Sequence, residues 1–348
     1  MTRVLLLPSL AYEPLWRQHA AGEGPRPTVT EELRRDQGID IDTIDPGSRR
    51  VDPFGQAHPF FRGIDPLRAL TIVLTRRRYD LVVSGNDGAA VALIAARRLF
   101  RFTTPIAIWD LSPAVAWRVR RLAQDRTLPR VNGVISLNGI QRSYIASRWG
   151  AHVPVAIVGH WADTAFFQPD RAAHGRAILA VGDDNGQEYP TLLRALAGLD
   201  TPSSIRTSLA LDLDPVAHAA VAVARERLTP RDFRALYANS RFVVVPLRRD
   251  TTNASGINTI LEAGAMGKAV VVSDSDGIRE FVRHGETGLV VPAGDHIALR
   301  SAIERLSREP ETCARLGAQG REFVERTASP AIFASRLAVA FRAFARTG

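Results

Sequence analysis

The sequence predicts an α/β protein made of two doubly wound domains in tandem. Short runs of Val, Leu and Ile alternate with helical segments along the chain, and this rhythm is interrupted once near the middle. Near-continuous apolar runs of this kind are typical of parallel strands buried on both faces of a sheet. With 348 residues, the chain has room for two domains of ordinary size.

The first half of the chain contains four predicted strands. They cover residues 4–8, 79–84, 105–109 and 133–137, each rich in Val, Leu or Ile. After the second strand come a Gly-Asn-Asp-Gly turn and a helix over residues 89–99, for which Asp87 is the expected N-cap. We expect residues 1–160 to form one Rossmann-like domain that holds the acceptor.

The second half repeats the pattern after an irregular, proline-containing segment that we interpret as the connection between the domains (159–175). Five further strands are predicted, at 177–182, 208–213, 241–247, 269–273 and 288–292. Helices are predicted over 190–199 and around 233–237. The second domain is therefore expected to span 161–328. The basic helical stretch 329–348 has no strand of its own, so we expect it to cross back onto the first domain.

Composition and charge narrow the class of function. The 45% hydrophobic and 23% charged residues are those of an ordinary globular protein, and the single cysteine excludes an intramolecular disulfide. No apolar run reaches the roughly 18 residues of a membrane span. These features favour a cytoplasmic protein. The net charge of +9 favours anionic partners, among which nucleic acid is the weakest candidate because no nucleic-acid-binding motif is found.

Several common chemistries have no sequence support. Neither half carries a GxGxxG or a GxxxxGK[ST] loop, which argues against a dehydrogenase or a P-loop enzyme. No Cys/His cluster has metal-ligand spacing, so no metal and no permanently bound cofactor are expected. Asp212 and Asp214 alternate after a predicted strand and are interpreted as a strand end rather than as ligands of a metal-bound diphosphate.

The stretch from Arg248 onward has the pattern of an anion site. Arg248 and Arg249 follow a predicted strand, and Ser255 and Gly256 then open a helix whose first residues are Ile257 and Asn258. Free backbone N–H groups at such a helix start bind phosphate, and guanidinium groups at a strand end can reach the same phosphates.

Glu262 lies nearly two helical turns after Gly256. A carboxylate there can accept hydrogen bonds from both hydroxyls of a ribose. The alternative is a solvated or capped helix glutamate, and the spacing alone does not decide between the two.

A family resemblance adds to this interpretation. Residues 261–273 (Leu-Glu-Ala-Gly-Ala-Met-Gly-Lys-Ala-Val-Val-Val-Ser), 277–282 and 285–295 resemble the donor-binding half of family-four retaining glycosyltransferases, the glycosyl transferases group 1. Residues 163–169, 181–182 and 189–196 resemble it as well, so the match covers roughly 159–326. The first half is similar only in general layout.

The resemblance implies a GT-B fold with a nucleotide sugar held in the cleft between the two domains. It places Glu262 on the ribose and adds Gly182 to the donor site. Glu280 matches a glutamate of the family pattern, for which a structural role after the strand is the alternative.

The chain also departs from the family pattern. Ala254 stands where the family usually has a second glutamate, and the turn from Gly182 to Glu188 lacks the usual arginine and lysine. The first half lacks a glycine-rich opening loop, and Trp109-Asp110 stands where many relatives have a histidine. These departures leave three interpretations open: a divergent subfamily, a donor site rebuilt around Arg248 and Arg249, or lost activity.

The first half of the chain contains fewer candidate site residues. Asp110, at a strand end, is expected to contact the transferred sugar or the acceptor, with helix capping as the alternative. Asn86, Asp87 and Tyr12 are assigned to the acceptor side, again with capping as the alternative for the first two. His160 and Trp161 lie near the expected hinge, where a structural role is the commoner one.

One predicted basic helix has a pattern that is compatible with binding to a membrane surface. Residues 114–122 include Trp117, Arg118, Arg120 and Arg121, a pattern that could dock peripherally on the inner face of an anionic bilayer. A charge run of this kind is more often a solvated face.

The sequence therefore predicts a retaining, metal-independent hexosyltransferase. It would move a sugar from a nucleoside diphosphate sugar, UDP- or GDP-linked, to a small-molecule, glycan or lipid-linked acceptor. The main alternative is a catalytically silent GT-B protein that binds a sugar nucleotide or a glycan as an assembly partner. A sugar-nucleotide epimerase or a phosphorylase is a further alternative.

Overall fold

The computed structural model describes residues 2–9, 11–45, 69–70, 72, 79–85, 87–100, 103–109, 118–170, 175–250 and 255–347. The chain forms two compact units. The first comprises Met1–Arg17, Pro27–Gly159 and Phe333–Gly348, and the second comprises Gln18–Arg26 and His160–Ile332. Each unit contains a six-stranded sheet in which every pairing is parallel, which confirms the predicted α/β class.

In the first unit the strand order is β2-β1-β3-β4-β5-β6. The strands are β1 (Thr2–Leu7), β2 (Ile39–Thr43), β3 (Leu81–Ser84), β4 (Ile106–Trp109), β5 (Gly133–Ser136) and β6 (Val155–Ile157). The helices are the first part of α1 (Glu13–Ala20), which continues into the second unit from Gln18, and α2 (Thr30–Gln37), α3 (Asp87–Phe100), α4 (Arg118–Thr127) and α5 (Gly139–Trp149), with a 3₁₀ turn at Leu128–Arg130. Strands β3 and β5 are fully buried, and β1 and β4 are buried over their apolar runs.

The last helix, α11 (Pro330–Ala345), joins the first unit from Phe333 onward. It buries Phe333, Leu337, Phe341 and Phe344. A Cβ atom on Gly133 would lie 2.3 Å from the ring of Phe344, so the glycine at the start of β5 allows this ring to pack on the sheet.

In the second unit the strand order is β12-β11-β10-β7-β8-β9. The strands are β7 (Ala177–Val181), β8 (Ser203–Arg206), β9 (Val221–Ala224), β10 (Ser240–Val245), β11 (Val270–Asp274) and β12 (Leu289–Pro292). The helices are α6 (Tyr189–Leu196), α7 (Pro230–Ala238), α8 (Ile257–Ala265), α9 (His296–Arg308) and α10 (Pro310–Thr327). Because β7 and β10 are neighbours, the strand order reverses between them.

The predicted strand over 208–213 is wrong. The sheet instead uses β8 and β9, on either side of that segment. Leu209, Leu211 and Leu213 pack against the core as part of a loop. Side-chain oxygens of Asp183 and Thr207 accept the backbone N–H groups of residues 208 and 209. Alternating leucines fit a loop that lies on a core as well as they fit a strand.

The short segment Gln18–Arg26 packs on the second unit, which the sequence analysis did not anticipate. The backbone N–H of Arg26 donates to the buried carboxylate of Asp163 over 2.9 Å. The same carboxylate accepts from the N–H groups of Ala165 and Phe166. Asp163 therefore orders the irregular segment after residue 160 and anchors a distant part of the chain to it.

Candidate active site

The second sheet brings the ends of β7 and β10 side by side at the point where its strand order reverses. Ligands of open parallel sheets bind outside the carboxyl ends of the strands at such a switch point. Three segments meet here: the turn from Gly182 to Glu188, the residues that follow β10, and the start of α8. Their contacts define the candidate site.

The turn after β7 is bonded to the chain after β10. The N–H of Glu188 donates to the carbonyl of Pro246 over 2.8 Å, and the N–H of Arg248 donates to the carbonyl of Gly186 over 2.9 Å. Gln187 and Leu247 form an antiparallel bridge between these two bonds. The backbone of Arg248 is thus fixed beside the turn, although the turn itself contains no basic residue.

The start of α8 packs on the same turn. A Cβ atom on Gly186 would lie 2.2 Å from Oγ of Ser255, so the serine occupies the space that a side chain would need. Gly256, the N-cap of α8, has φ of 72°, a left-handed conformation that favours glycine. A Cβ atom there would also lie 2.7 Å from Val245. These contacts bring the N-terminus of α8 to the ends of both strands.

Glu262 lies in the second turn of α8, and its carboxylate is bonded to α7. Oη of the fully buried Tyr237 donates to Oε2 of Glu262 over 2.9 Å. Among the described residues this is the one hydrogen bond seen to the Glu262 side chain. Glu262 itself keeps some accessible surface. The carboxylate therefore keeps hydrogen-bond acceptor capacity that Tyr237 does not use.

Burial changes the acidity of both partners. Desolvation raises the pKa of Glu262 to about 7, against the smaller opposing effect of the Tyr237 hydrogen bond. Desolvation also raises the pKa of Tyr237 well above its ordinary value, and the neighbouring Glu262 raises it further. Tyr237 thus stays protonated as a donor, while Glu262 titrates near neutral pH.

The two arginines of the sequence prediction have different surroundings. Arg248 has 62% of its side chain exposed, and its Nε lies 3.3 Å from Oε2 of Glu188 in the turn. Arg249 is exposed, and its carbonyl accepts from Ser275 and from the N–H of Asp276. Arg248 therefore faces the turn after β7, whereas the backbone of Arg249 is held to the loop after β11.

The acids of the turn are used by nearby backbone groups. Asp184 accepts the N–H of Gly186 over 2.7 Å, and Asp183 accepts the N–H of Ser208. Only Glu188 is paired with a cation there among the described residues. The negative charge of the turn is thus partly balanced by hydrogen bonds rather than by bases.

The other predicted donor residues occupy distinct places. Gly182 directly follows β7, and its carbonyl accepts from Oη of Tyr189 over 2.9 Å. Ile257 is buried at the first position of α8, while Asn258 beside it is exposed. Glu280 is exposed at the end of the 3₁₀ turn Ile278–Glu280, which follows β11 rather than β10. The structure therefore brings Gly182, Arg248, Ser255 and Gly256 together and places Glu280 on a separate loop.

Two residues of the site were missed by the sequence analysis. For Tyr237 the sequence predicted only that it lies in a helix, and no local pattern connects it to Glu262. Gln187 is 4% exposed, and its amide lies against Gly182, where a Cβ atom would be 2.3 Å from Nε2. Its Oε1 is buried and has no hydrogen-bond partner among the described residues. The sequence feature that could have pointed to Gln187 is its position in a glycine-containing turn directly after a strand.

The acceptor-side candidates are only partly described. Asp110 and Asn86 lie outside the described residues, and α3 begins at Asp87. The N–H of Tyr12 donates to Asp45 over 2.9 Å. Burial, with the charge of Asp45, raises the pKa of the Tyr12 phenol to about 12. Tyr12 and Asp45 follow β1 and β2, so they lie at the carboxyl edge of the first sheet.

Gly85 shows that β1 and β3 end close together. Its N–H donates to the carbonyl of Leu7 over 2.8 Å, and a Cβ atom on it would lie 2.9 Å from the N atom of Ser9. The strand order of the first sheet reverses between β1 and β3, so this edge is the switch point of the first unit.

Other residues flagged in the sequence have structural roles. His160 Nδ1 accepts the N–H of Trp161 over 2.9 Å. Asp214 accepts the N–H groups of Val216 and Ala217, so it caps a turn and follows no strand. The chain's one lysine, Lys268, donates to the carbonyls of Ala238 and Ser240 and thus caps the end of α7.

Neither a metal-ligand cluster nor a membrane-spanning helix is seen in the described part of the chain. No group of three or more His, Cys, Asp or Glu side chains there could hold a metal ion. Within those same residues, no helix combines the length and the apolar character that crossing a bilayer requires. Of the basic segment 114–122, the structure describes residues from 118 onward, as the start of α4.

Comparison with known proteins agrees with the resemblance seen in the sequence. Residues 191–309 match the model of the family described as Glycosyl transferases group 1. The putative glycosyltransferase EpsD of Bacillus subtilis is 39% identical over 67 residues, which is 19% of this chain and 17% of EpsD. A GDP-mannose-dependent alpha-(1-6)-phosphatidylinositol monomannoside mannosyltransferase of Mycolicibacterium smegmatis is 25% identical over 334 residues, covering 86% of this chain and 76% of that protein.

Solved structures share the fold across both units. Sucrose-phosphate synthase from Thermosynechococcus elongatus superimposes with a TM-score of 0.73 at 18% identity, over 98% of both chains. Anabaena HepE in complex with UDP-glucose superimposes with a TM-score of 0.67 at 16% identity, over 98% of this chain and all of HepE. The GT-B fold expected from the sequence is therefore confirmed.

Proposed function

We propose that this chain, a glycosyltransferase of the group 1 type with the GT-B fold, transfers a sugar from a nucleoside diphosphate sugar to an acceptor with retention of anomeric configuration. The observation that carries the proposal is the hydrogen bond from Tyr237 of α7 to Glu262 of α8, the helix that begins at the switch point of the second sheet. In this role the Glu262 carboxylate accepts hydrogen bonds from the two ribose hydroxyls, and Tyr237 holds it in place.

The diphosphate would bind at the start of α8. The first N–H groups of a helix have no intrahelical partner and carry a partial positive charge. Ser255 and Gly256 place that end against the turn after β7, with little side chain in the way. Arg248 supplies the cation that the turn itself lacks, and Arg249 is the second arginine in reach of the same edge.

In the proposed reaction, the bond between the anomeric carbon and the β-phosphate oxygen breaks as the acceptor oxygen bonds to that carbon. The diphosphate leaves with the bonding electron pair and takes up the proton of the acceptor hydroxyl. Catalysis then comes from positioning and from stabilising charge on the departing diphosphate. Asp110, in the first half, is proposed to contact the transferred sugar or the acceptor.

The finer assignments are also proposals. HepE is solved with UDP-glucose, and the M. smegmatis enzyme is named for GDP-mannose, so a UDP- or GDP-sugar is the proposed donor. The acceptor, a small molecule, glycan or lipid-linked sugar, is assigned to residues 1–150, including Tyr12, Asn86 and Asp87. Transfer is proposed to need no metal, so activity should survive EDTA. The cytoplasm, where sugar nucleotides are available, is the proposed location.

The test is a calorimetric screen of UDP, GDP, ADP, dTDP and their common sugar conjugates. We expect one nucleotide class to bind and Glu262→Ala to weaken it by about tenfold or more, because a charged hydrogen-bond partner is lost. Glu286→Ala, an exposed glutamate of the same unit, is the matched control and should bind as wild type. Unchanged affinity in a folded Glu262→Ala variant would remove Glu262 from the site.

The alternative, a catalytically silent binding module, is favoured by one observation. Arg248 is already paired with Glu188, and among the described residues this is the one ion pair seen to an acid of the turn after β7. Slow hydrolysis of the bound donor separates the two functions, because a transferase leaks sugar to water and a binding module does not. Tight nucleotide binding without hydrolysis or transfer would favour the silent module.

A further inference from the structure

Two large apolar side chains are exposed at the end of α3. Leu99 is 76% exposed and Phe100 is 47% exposed. Both follow Arg97, and Leu122, on the neighbouring helix α4, is also exposed. Single exposed apolar residues are ordinary, but here two large ones are adjacent, at a helix end that also carries arginine.

A hydrogen-bond chain shows what lies around this helix end. Arg97 Nη1 donates to Oδ1 of Asn132 over 3.1 Å, and the amide of Asn132 donates to the carbonyl and hydroxyl of Thr347 over 3.2 and 3.1 Å. Asn132 Oδ1 also accepts the N–H of Ile106, the first residue of β4. The end of α3, the residues before β5 and the end of α11 therefore meet at the amino edge of the first sheet.

The charge of this edge is positive. Arg126 and Arg130, shortly before Asn132, and Arg346, next to Thr347, are all exposed. The acid nearest in sequence to Arg126 and Arg130 is Asp125, which is already bonded to Arg148 and to Trp149 Nε1. The surface thus combines two large apolar side chains with arginines whose charge the neighbouring Asp125 does not neutralise.

We propose that this edge, formed by Leu99, Phe100, Arg126, Arg130 and Arg346, is a peripheral docking surface for an anionic lipid bilayer. Leu99 and Phe100 insert among the acyl chains close to the headgroups, while the arginines bind lipid phosphates. An aliphatic leucine beside the ring favours lipid over nucleic acid, because it offers nothing to stack on a base. The arginines favour an anionic surface over a second copy of this basic chain.

The proposed docking surface and the acceptor-side residues lie at opposite edges of the first sheet. Gly85 and Tyr12, at the acceptor side, lie at the carboxyl edge of the same sheet, whereas Leu99 and Phe100 lie toward its amino edge. Docking therefore does not depend on the proposed transfer reaction. Variants at this surface are expected to keep nucleotide affinity unchanged.

The experiment is co-sedimentation of the full chain with phosphatidylcholine vesicles, with and without phosphatidylglycerol. We expect binding to the anionic vesicles alone, weakened by added salt. The double substitution Leu99→Ser/Phe100→Ser should lower the partition coefficient by about tenfold or more, since two apolar side chains lose their burial. The matched control is Val216→Ser/Ile297→Ser, which removes two apolar side chains that are 87% and 68% exposed on the second unit.

A second pair of variants tests the charge. Arg126→Gln/Arg130→Gln should lower binding several-fold, whereas Arg227→Gln/Arg231→Gln, on the second unit, should not. Equal binding to neutral vesicles, no binding by the wild type, or full binding by Leu99→Ser/Phe100→Ser would overturn the proposal. So would self-association in solution that the serine substitutions abolish without any vesicle binding, which would assign the surface to a second copy.

Discussion

Oη of Tyr237 lies 2.9 Å from Oε2 of Glu262, which joins the end of α7 to the second turn of α8. The tyrosine is fully buried, so its hydroxyl cannot exchange this partner for water. The hydrogen bond holds the carboxylate of Glu262, which is the group proposed to bind the ribose of the donor. Its removal should therefore affect both stability and ligand affinity.

We expect Tyr237→Phe to lower the free energy of unfolding by about 1–2 kcal/mol, the usual cost of one buried hydrogen bond to a carboxylate. Nucleotide affinity should also fall, because Glu262 is no longer held in place. Urea denaturation and calorimetry measure the two effects. Tyr79→Phe is the matched control, since Tyr79 donates to Asp42 over 2.8 Å in the first unit. The control should change stability without changing nucleotide affinity.

Affinity for the nucleotide should depend on pH through Glu262. Its pKa of about 7 means that the acceptor form increases from about pH 6 to about pH 8. If only the carboxylate binds the ribose, affinity should rise about tenfold over that range. Comparing wild type with Glu262→Gln removes the titration of the nucleotide's own phosphates. Identical pH profiles for the two proteins would contradict a ribose-binding carboxylate.

The same pKa shift predicts an opposite trend in stability. Because burial raises the pKa of Glu262 above its unfolded value of 4.5, the unfolded state loses this proton first as pH rises. The free energy of unfolding should therefore fall between about pH 4.5 and pH 7, by up to about 3 kcal/mol relative to Glu262→Gln. Chemical denaturation of both proteins across this range measures it. A constant difference would mean that the carboxyl group is well hydrated.

Arg248 and Glu188 should influence donor binding in opposite directions. Arg248→Gln is expected to weaken nucleotide binding by about five- to tenfold and to reduce its dependence on salt, because one cation near the diphosphate is lost. Glu188→Gln should strengthen binding slightly by releasing Arg248 from its present partner. Titrations at low and high salt measure both effects. Glu309→Gln, which releases the exposed Arg305, is the control. It should change neither the nucleotide affinity nor the dependence of that affinity on salt.

Gly186 tests the contact between the turn and α8. A Cβ atom there would lie 2.2 Å from Oγ of Ser255, so Gly186→Ala should lower the free energy of unfolding by about 1–3 kcal/mol. The double variant Gly186→Ala/Ser255→Gly removes the obstructing side chain and should recover most of that loss. A double variant no more stable than Gly186→Ala would place the clash elsewhere.

The strands that bear the site could be predicted because their apolar runs are nearly continuous. β7, β10, β11 and β12 are buried by helices on both faces, and such strands need Val, Leu or Ile at almost every position. β2 was missed because two of its five residues are aspartates, which are uncommon in strands, and β6 because it has only three residues. The leucines of 208–213 alternate like a strand but cover the core as a loop.

The sequence alone determined the α/β class, the repeated strand–helix order and the position of Glu262 near the start of a helix. These three features depend on local patterns of apolar residues and glycines, and each pattern is complete within a single segment of the chain. The tertiary structure decided that Tyr237 bonds Glu262, that Arg248 faces the base-free turn after β7, and that Gly186 packs on Ser255. Each of these pairs is separated by many residues. The strand order, which places β7 beside β10, brings the last two pairs together, whereas Tyr237 and Glu262 meet because α7 and α8 both pack on β10. Hydrophobic periodicity specifies which face of an element is buried, but it carries no information on which neighbour that face will meet.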